Sequence, residues 1–251
     1  MSAPAKLALI TGASAGLGVE FARQLAKRGH RLILAARRID RLEALAAELG
    51  NARTVAIDLS QARSAQKLLS EIGEPVDVLV NNAGFGLKGR FAELDADRLR
   101  EMIDLNIGCL TDLCRAVAPG MIERHSGAIL NVASTAAFQP GPNMAVYFAS
   151  KAYVLSLTEA LHEELKPHGV KVSALCPGPT RTEFGAVAGF GDKGAFNRFA
   201  ADAPSVVRAG LDGLDRNRAV VIPGVVNSVG AVSIRFLPRF VVRKIAGAIK
   251  F

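Results

Sequence analysis

Cysteine is scarce. The three in this 251-residue chain, Cys109, Cys114 and Cys176, are too few for a disulfide framework. The first two also share one helical pattern, which favours a reducing, cytoplasmic compartment. Four scattered histidines, His30, His125, His162 and His168, give no metal-ligating cluster, and each reads as a surface or helix-end residue. Tryptophan is absent, while half the residues are apolar and glycine numbers 24, a compact enzyme-like composition and not that of a disordered or collagen-like chain. The opening MSAPAKLALITG lacks the apolar stretch and cleavage site of a secretory signal. No linker or low-complexity stretch divides the sequence, so a single domain over 1–251 is expected.

Acidic residues are missing from one end. After Asp215 there is none, yet Arg216, Arg218, Arg235, Arg239, Arg243, Lys244 and Lys250 follow. Most of the formal charge of +8 therefore lies in the C-terminal tail, and the body is nearly neutral. That distribution argues against a nucleic-acid-binding stripe.

Short Val-, Ile- and Leu-rich runs recur: AKLALIT, HRLILAA, ARTVAID, VDVLVNN, GAILNVAS and VKVSALCP. They read as strands buried on both faces. Helical patterns separate them: GVEFARQLAKRG, DRLEALAAELG, DLSQARSAQKLLSEIG, DADRLREMIDLNIGCLTDLCRAVAPGM and VYFASKAYVLSLTEALHEELKPHG. This alternation calls for βαβ crossovers, a parallel sheet with helices on both faces, and a ligand beyond the C-terminal strand ends.

TGASAGLG, Thr11 to Gly18, lies at the first strand–helix junction. There Gly12 permits the turn, Gly16 lets backbone approach a phosphate, Gly18 lets helix and strand pack, and exposed N–H groups receive a pyrophosphate. After the second strand stand Ala35, Ala36, Arg37 and Arg38, where a ribose-binding acid would favour NAD. A guanidinium there can grip a 2′-phosphate, so NADP(H) is expected over NAD(H), the alternative being that Arg37 and Arg38 simply form a solvated helix start. Asp58 is placed to accept from an adenine amino group or to cap the next helix. NNAG, Asn81 to Gly84, suits either a close backbone approach to a ring or a plain turn.

AVYFASKAY sets Tyr147 four residues before Lys151, on one helix face. Carbonyl reduction needs a hydride on carbon and a proton on oxygen, and a phenol beside an ammonium is one way to supply the proton. The ammonium is expected to favour the phenolate. Ser134 ends a strand, where its hydroxyl can hold a carbonyl oxygen, and no acid–histidine relay accompanies it to make a hydrolase. Asn106, inside a helical pattern, predicts a bend or a buried hydrogen-bond network.

Across roughly residues 5–225 the motifs TGASAGLG, NNAG, Asn106, Ser134, YFASK and PGPTRT resemble, in order, those of a classical short-chain dehydrogenase/reductase. The resemblance implies a doubly wound Rossmann-type fold with seven parallel strands, a homodimer or homotetramer, and hydride exchange between a nicotinamide and a carbonyl or alcohol. Carried over by position, Tyr147 is the acid/base, Lys151 its charged partner and ribose holder, Ser134 the carbonyl orienter and Asn106 a water-holding residue. Cofactor contacts carry over to Thr11, Gly12, Ser14, Gly16, Leu17, Gly18, Arg37, Arg38, Asp58, Leu59, Asn82, Ala83, Gly84, Tyr147, Lys151, Pro177, Gly178, Thr180 and Thr182. Ala15 departs from NADP-preferring relatives that carry a second basic residue at its position.

Residues 178–205 are long for a connection and read as a substrate lid, with Phe184, Phe190, Phe196 and Phe199 as an apolar wall or as plain helix packing. Gln139 to Met144 are placed to shape the opposite side. The tail 226–251 alternates Arg235, Arg239 and Arg243 with Phe236, Leu237, Phe240, Val241, Ile245 and Ala248. It is too charged to span a membrane but suited to lie on an anionic one, to join a subunit interface, or to cover the pocket. The leading expectation is an NADPH-dependent reductase, with a hydrophobic or acyl-linked substrate. NADP-linked alcohol oxidation and a nicotinamide-binding scaffold are the alternatives.

Overall fold

The computed structural model describes residues 5–188 and 200–248. Its strands are β1 Leu7–Thr11, β2 Arg31–Ala36, β3 Ala52–Ala56, β4 Val78–Asn81, β5 Gly127–Val132, β6 Val170–Leu175 and β7 Val220–Val221. They pair in parallel in the order β3-β2-β1-β4-β5-β6-β7, a seven-stranded doubly wound sheet. Six of the seven follow the apolar runs. The seventh is only two residues long, too short to leave a run of its own.

All of β1 is buried because its alternate residues serve opposite layers. Leu7 and Leu9 face a core built with α3 Ser64–Ile72, α5 Leu110–Glu123 and α6 Ala145–Leu165. Ala8 and Ile10 face the other core, built with α1 Gly16–Lys27, α2 Ile39–Leu49 and α8 Ala203–Asp215. Because β1 has β2 on one side and β4 on the other, the winding reverses at the β1/β4 boundary. A crevice opens at such a point beyond the strand ends.

Three readings of the sequence need correction. The helix expected over 58–73 begins only at Ser64, because Asp58 accepts hydrogen bonds from the Ser60 N–H (3.0 Å) and hydroxyl (2.7 Å) and so closes a turn. Arg63, at φ 59°, then enters the helix from a left-handed conformation. The helix expected over 95–121 is α4 Ala96–Ile103, a π-helical segment Asp104–Cys109, and α5. His162 is a helix-end residue, in the last turn of α6, but not a surface one; it is buried with Nδ1 2.7 Å from the Val172 carbonyl. After a short α7 Phe184–Val187, the chain ends in α9 Val225–Ser233 and α10 Arg239–Ala248. Among the described residues no helix is long and apolar enough to cross a membrane.

Candidate active site

A cleft of about 450 Å³ lies at the C-terminal ends of the strands. That is within the usual range of small-ligand sites. Its floor is the glycine turn. Gly12 and Gly16 adopt φ of 66° and 55°, a region that L side chains avoid. A Cβ on Gly18 would lie 2.2 Å from the Gly12 carbonyl oxygen, so any larger residue would push helix from strand. The first turn of α1 has no side-chain cap and no acidic residue. The Gly18 N–H donates to the Ala15 carbonyl (3.1 Å), and those of Gly16 and Leu17 are available to an anion.

NNAG proves to be a brace. The Asn82 side chain donates to the carbonyls of Thr11 (2.9 Å) and Gly12 (3.2 Å). The backbone N–H groups of Asn82 and Ala83 in turn donate to the Thr11 hydroxyl, both at 3.0 Å. Thr11 and Gly18 therefore shape the turn without lining the cleft, whereas Gly12, Ser14, Gly16, Leu17, Asn82, Ala83 and Gly84 line it directly.

One end of the cleft is walled by Arg37, Arg38, Asp58 and Leu59. The two arginines differ. Arg38 donates to the Ser14 hydroxyl (3.2 Å) and pairs with Glu183 (3.2 Å). The same carboxylate pairs with Arg41 at 2.7 Å, and these partners hold Glu183 below its ordinary pKa, the Arg41 bond most of all. Arg37 has no hydrogen bond or ion pair with another described residue, leaving its guanidinium to a ligand. Burial works to raise the Asp58 pKa, but the bonds from Ser60, with Gln61 and the Arg37 charge, hold it below the usual value. Asp58 lines the cleft without capping α3.

At the other end stand Ser134, Tyr147 and Lys151. Starting α6 at Ala145 puts the phenol and the ammonium one turn apart, both buried. Lys151 Nζ donates to the Val132 carbonyl at 2.8 Å and lies 5.8 Å from the centre of the Tyr147 ring. The Ser134 hydroxyl stands beside the phenol, accepts from the Ala136 N–H (3.1 Å) and donates to the Pro177 carbonyl (3.4 Å). Burial pushes the Tyr147 phenol up to about 12, against a small lowering from Ser134. Burial also brings the Lys151 ammonium down to about 8. Without nucleotide, burial therefore leaves the phenol protonated, as a proton donor in reduction requires.

Asn106 is buried in the π-helical segment, outside the cleft lining, and the expected buried hydrogen-bond network is there. Its Oδ1 accepts from the Phe85 N–H (3.1 Å), and its Nδ2 donates to the Phe85 carbonyl (3.0 Å) and the Ser150 hydroxyl (3.1 Å). The wider turn lets one amide meet both backbone groups of Phe85. This clamps the strand just past Gly84, where a Cβ would meet Asn106 Oδ1 at 3.0 Å and Lys151 Nζ at 3.6 Å.

Pro177, Gly178, Thr180 and Thr182 close the cleft, and Thr182 packs against Gly16. Phe184 does join the wall, its ring 5.4 Å from that of Tyr147, with Gln139 and Met144 opposite. Phe190, Phe196 and Phe199 lie outside the described residues. Phe85, Glu101, Leu105 and Glu183 also line the cleft. Sequence reasoning passed over them because no spacing distinguishes a cleft-facing residue from its neighbours; Glu183 at least adjoins PGPTRT. Tyr153 turns away from the cleft, with its hydroxyl 3.0 Å from that of Thr111.

Residues 6–189 match the family model described as short chain dehydrogenase. The chain is 39% identical over 204 residues to sulfoacetaldehyde reductase 2 of Chromohalobacter salexigens, covering 78% of this chain and 81% of that one. Its fold superposes with a TM-score of 0.84 on a short-chain dehydrogenase from Sphingobium yanoikuyae in complex with NADPH, 33% identical, with 98% of this chain and 96% of that one covered. The bulky-bulky ketone specific alcohol dehydrogenase from Comamonas testosteroni superposes with a TM-score of 0.78 at 30% identity, over 98% of this chain and 95% of the other. With the sheet order, the glycine turn and the Ser134–Tyr147–Lys151 cluster in place, the chain belongs to the short-chain dehydrogenase/reductase family, NAD(P)(H)-dependent oxidoreductases acting on carbonyl and alcohol groups.

Proposed function

We propose that the protein is an NADPH-dependent reductase that converts the carbonyl of a bulky, apolar substrate to a secondary alcohol. One observation carries this reading. A buried phenol that keeps its proton stands beside Ser134 at one end of a cleft whose other end offers the uncommitted Arg37. The cofactor fits the residues present: uncapped N–H groups at Gly16 and Leu17 for the pyrophosphate, Arg37 for a 2′-phosphate, and Lys151 for a ribose. When bound, the reduced nicotinamide supplies the hydride.

The chain's own side chains do the rest. Ser134 donates to the carbonyl oxygen and fixes it beside Tyr147. As negative charge develops on that oxygen, Tyr147 gives up its proton there. Lys151, still largely charged at neutral pH, stabilises the phenolate that is left. Asn106 holds Phe85 and the neighbouring backbone in place. Phe184, Phe148 and Met144 form an apolar wall around the phenol, in keeping with the bulky-ketone specificity of the Comamonas testosteroni relative.

In this reading the whole chain is one catalytic domain, the stretch after Pro177 is its substrate wall, and it works in the cytoplasm as a homodimer or homotetramer. The test is a panel of aliphatic, aromatic and acyl carbonyls, run with NADPH and NADH. Turnover of bulky ketones with at least about tenfold preference for NADPH is expected. Tight NADPH binding with no turnover of any carbonyl would favour a scaffold, and turnover confined to alcohols with NADP⁺ would favour the oxidative direction.

A further inference from the structure

Eleven large apolar side chains are exposed among the described residues, and eight of them fall between Val225 and Ile245. Such concentration on a small part of the chain marks an interaction surface. Val225, Val226, Val229 and Val232 come from α9, Phe236 and Leu237 from the turn after it, and Phe240 and Ile245 from α10. The two helices are not loose: Ala231, Val242 and Ala246 are buried and anchor them to the body. Phe236 is 82% and Val226 is 86% exposed, so these side chains stand clear of the protein.

The charges select the occupant. Arg235, Arg239, Arg243 and Lys244 are exposed beside the apolar residues, and no acidic residue follows Asp215. A second copy packed by two-fold symmetry would set this patch against itself, cation facing cation. A bilayer with anionic headgroups accepts both features at once: the aromatics enter the acyl boundary and the basic heads stay at the phosphates.

Placement gives the surface a use. A Cβ on Gly178, in the cleft rim, would lie 2.5 Å from Asn227 Oδ1 of α9. On the other rim, a Cβ on Gly247 of α10 would lie 3.8 Å from Pro142, between the cleft residues Gln139 and Met144. The apolar surface thus borders the substrate end of the cleft and not the Arg37 end. We propose that α9 and α10 dock on an anionic membrane surface and that the carbonyl substrate is a lipophilic molecule entering the cleft from that membrane. The docking stands by itself; the entry step rests on the reductase reading.

Vesicle sedimentation tests this with the full chain and two variants, Phe236→Ser/Phe240→Ser and Arg239→Glu/Arg243→Glu. The unmodified protein is expected to sediment with vesicles containing phosphatidylserine, and far less with phosphatidylcholine alone or at high salt. Each variant should bind the anionic vesicles at least about tenfold less. NADPH-dependent turnover of diacetyl, which needs no membrane, should be unchanged in both, while turnover of vesicle-borne 5-decanone, an apolar ketone, falls. Equal sedimentation of variants and parent, or none by the parent, would overturn the docking. So would light scattering that shows a dimer which the phenylalanine variant dissociates, since a second copy would then cover the surface. Vesicle binding with no NADPH oxidation on either carbonyl would overturn the reductase reading and the entry step, leaving the docking supported.

Discussion

The two ends of the cleft are built on different physical terms. Around the glycine turn, backbone does the work: positive φ at Gly12 and Gly16, no space for a Cβ at Gly18, and an amide brace from Asn82. Around Tyr147 the work is done by burial, which sets the protonation of phenol and ammonium. Beyond both, the stretch from Pro177 onward is held by a few backbone bonds, to Thr135 and Ala201, and by the exposed ion pairs of Glu183. Substitutions should therefore act on chemistry, on cofactor selection, or on the wall, with little spread between them.

The sharpest break is expected at Tyr147. Replacing it by Phe removes the proton source with almost no change in volume. Turnover should fall by at least about 100-fold while NADPH affinity stays within about threefold. Equal losses in binding and turnover would show that the residue merely packs the wall.

Arg37→Ala addresses the opposite end. NADPH affinity should drop about tenfold or more, with NADH affinity nearly unchanged, because only the charge-assisted bonds to the 2′-phosphate are removed. Parallel losses with both cofactors, measured by fluorescence titration, would remove Arg37 from phosphate recognition.

Glu183→Gln is expected to have the smallest effect and the opposite sign. The carboxylate shares Arg38 with any phosphate that arrives nearby, and these are exposed pairs worth about 1 kcal/mol or less. NADPH should bind about two- to fivefold more tightly, NADH should not change, and added salt should erase the difference. Tighter binding of both cofactors would mean that the substitution moves the wall instead of freeing the arginine.

What could be read without coordinates follows the same division. The glycine turn was legible because few residue types satisfy its backbone geometry, and most of the longer strands were legible because burial on both faces demands continuous apolar runs; β3, at the sheet edge, departs from that reading and buries only Val55. β7 left no trace, since two residues supply no pattern. Asp58 illustrates a competition between local structures: its turn with Ser60 displaces the helix start to Ser64. The π-helical segment was visible only as an oddity at Asn106, because the backbone groups it serves, at Phe85, lie 21 residues away in the sequence. The burial around Tyr147 was hidden for a related reason. A neighbouring lysine can be seen in a sequence, whereas the burial that raises the phenol cannot.

That state can be measured directly. The chain has two tyrosines and no tryptophan, so in a Tyr153→Phe variant the ultraviolet signal of phenolate formation reports Tyr147 alone. The account predicts that, without nucleotide, this signal rises only well above pH 10, because burial raises the phenol toward about 12. A midpoint near pH 7 or 8 would contradict it, showing that the resting site holds a base and not a proton donor.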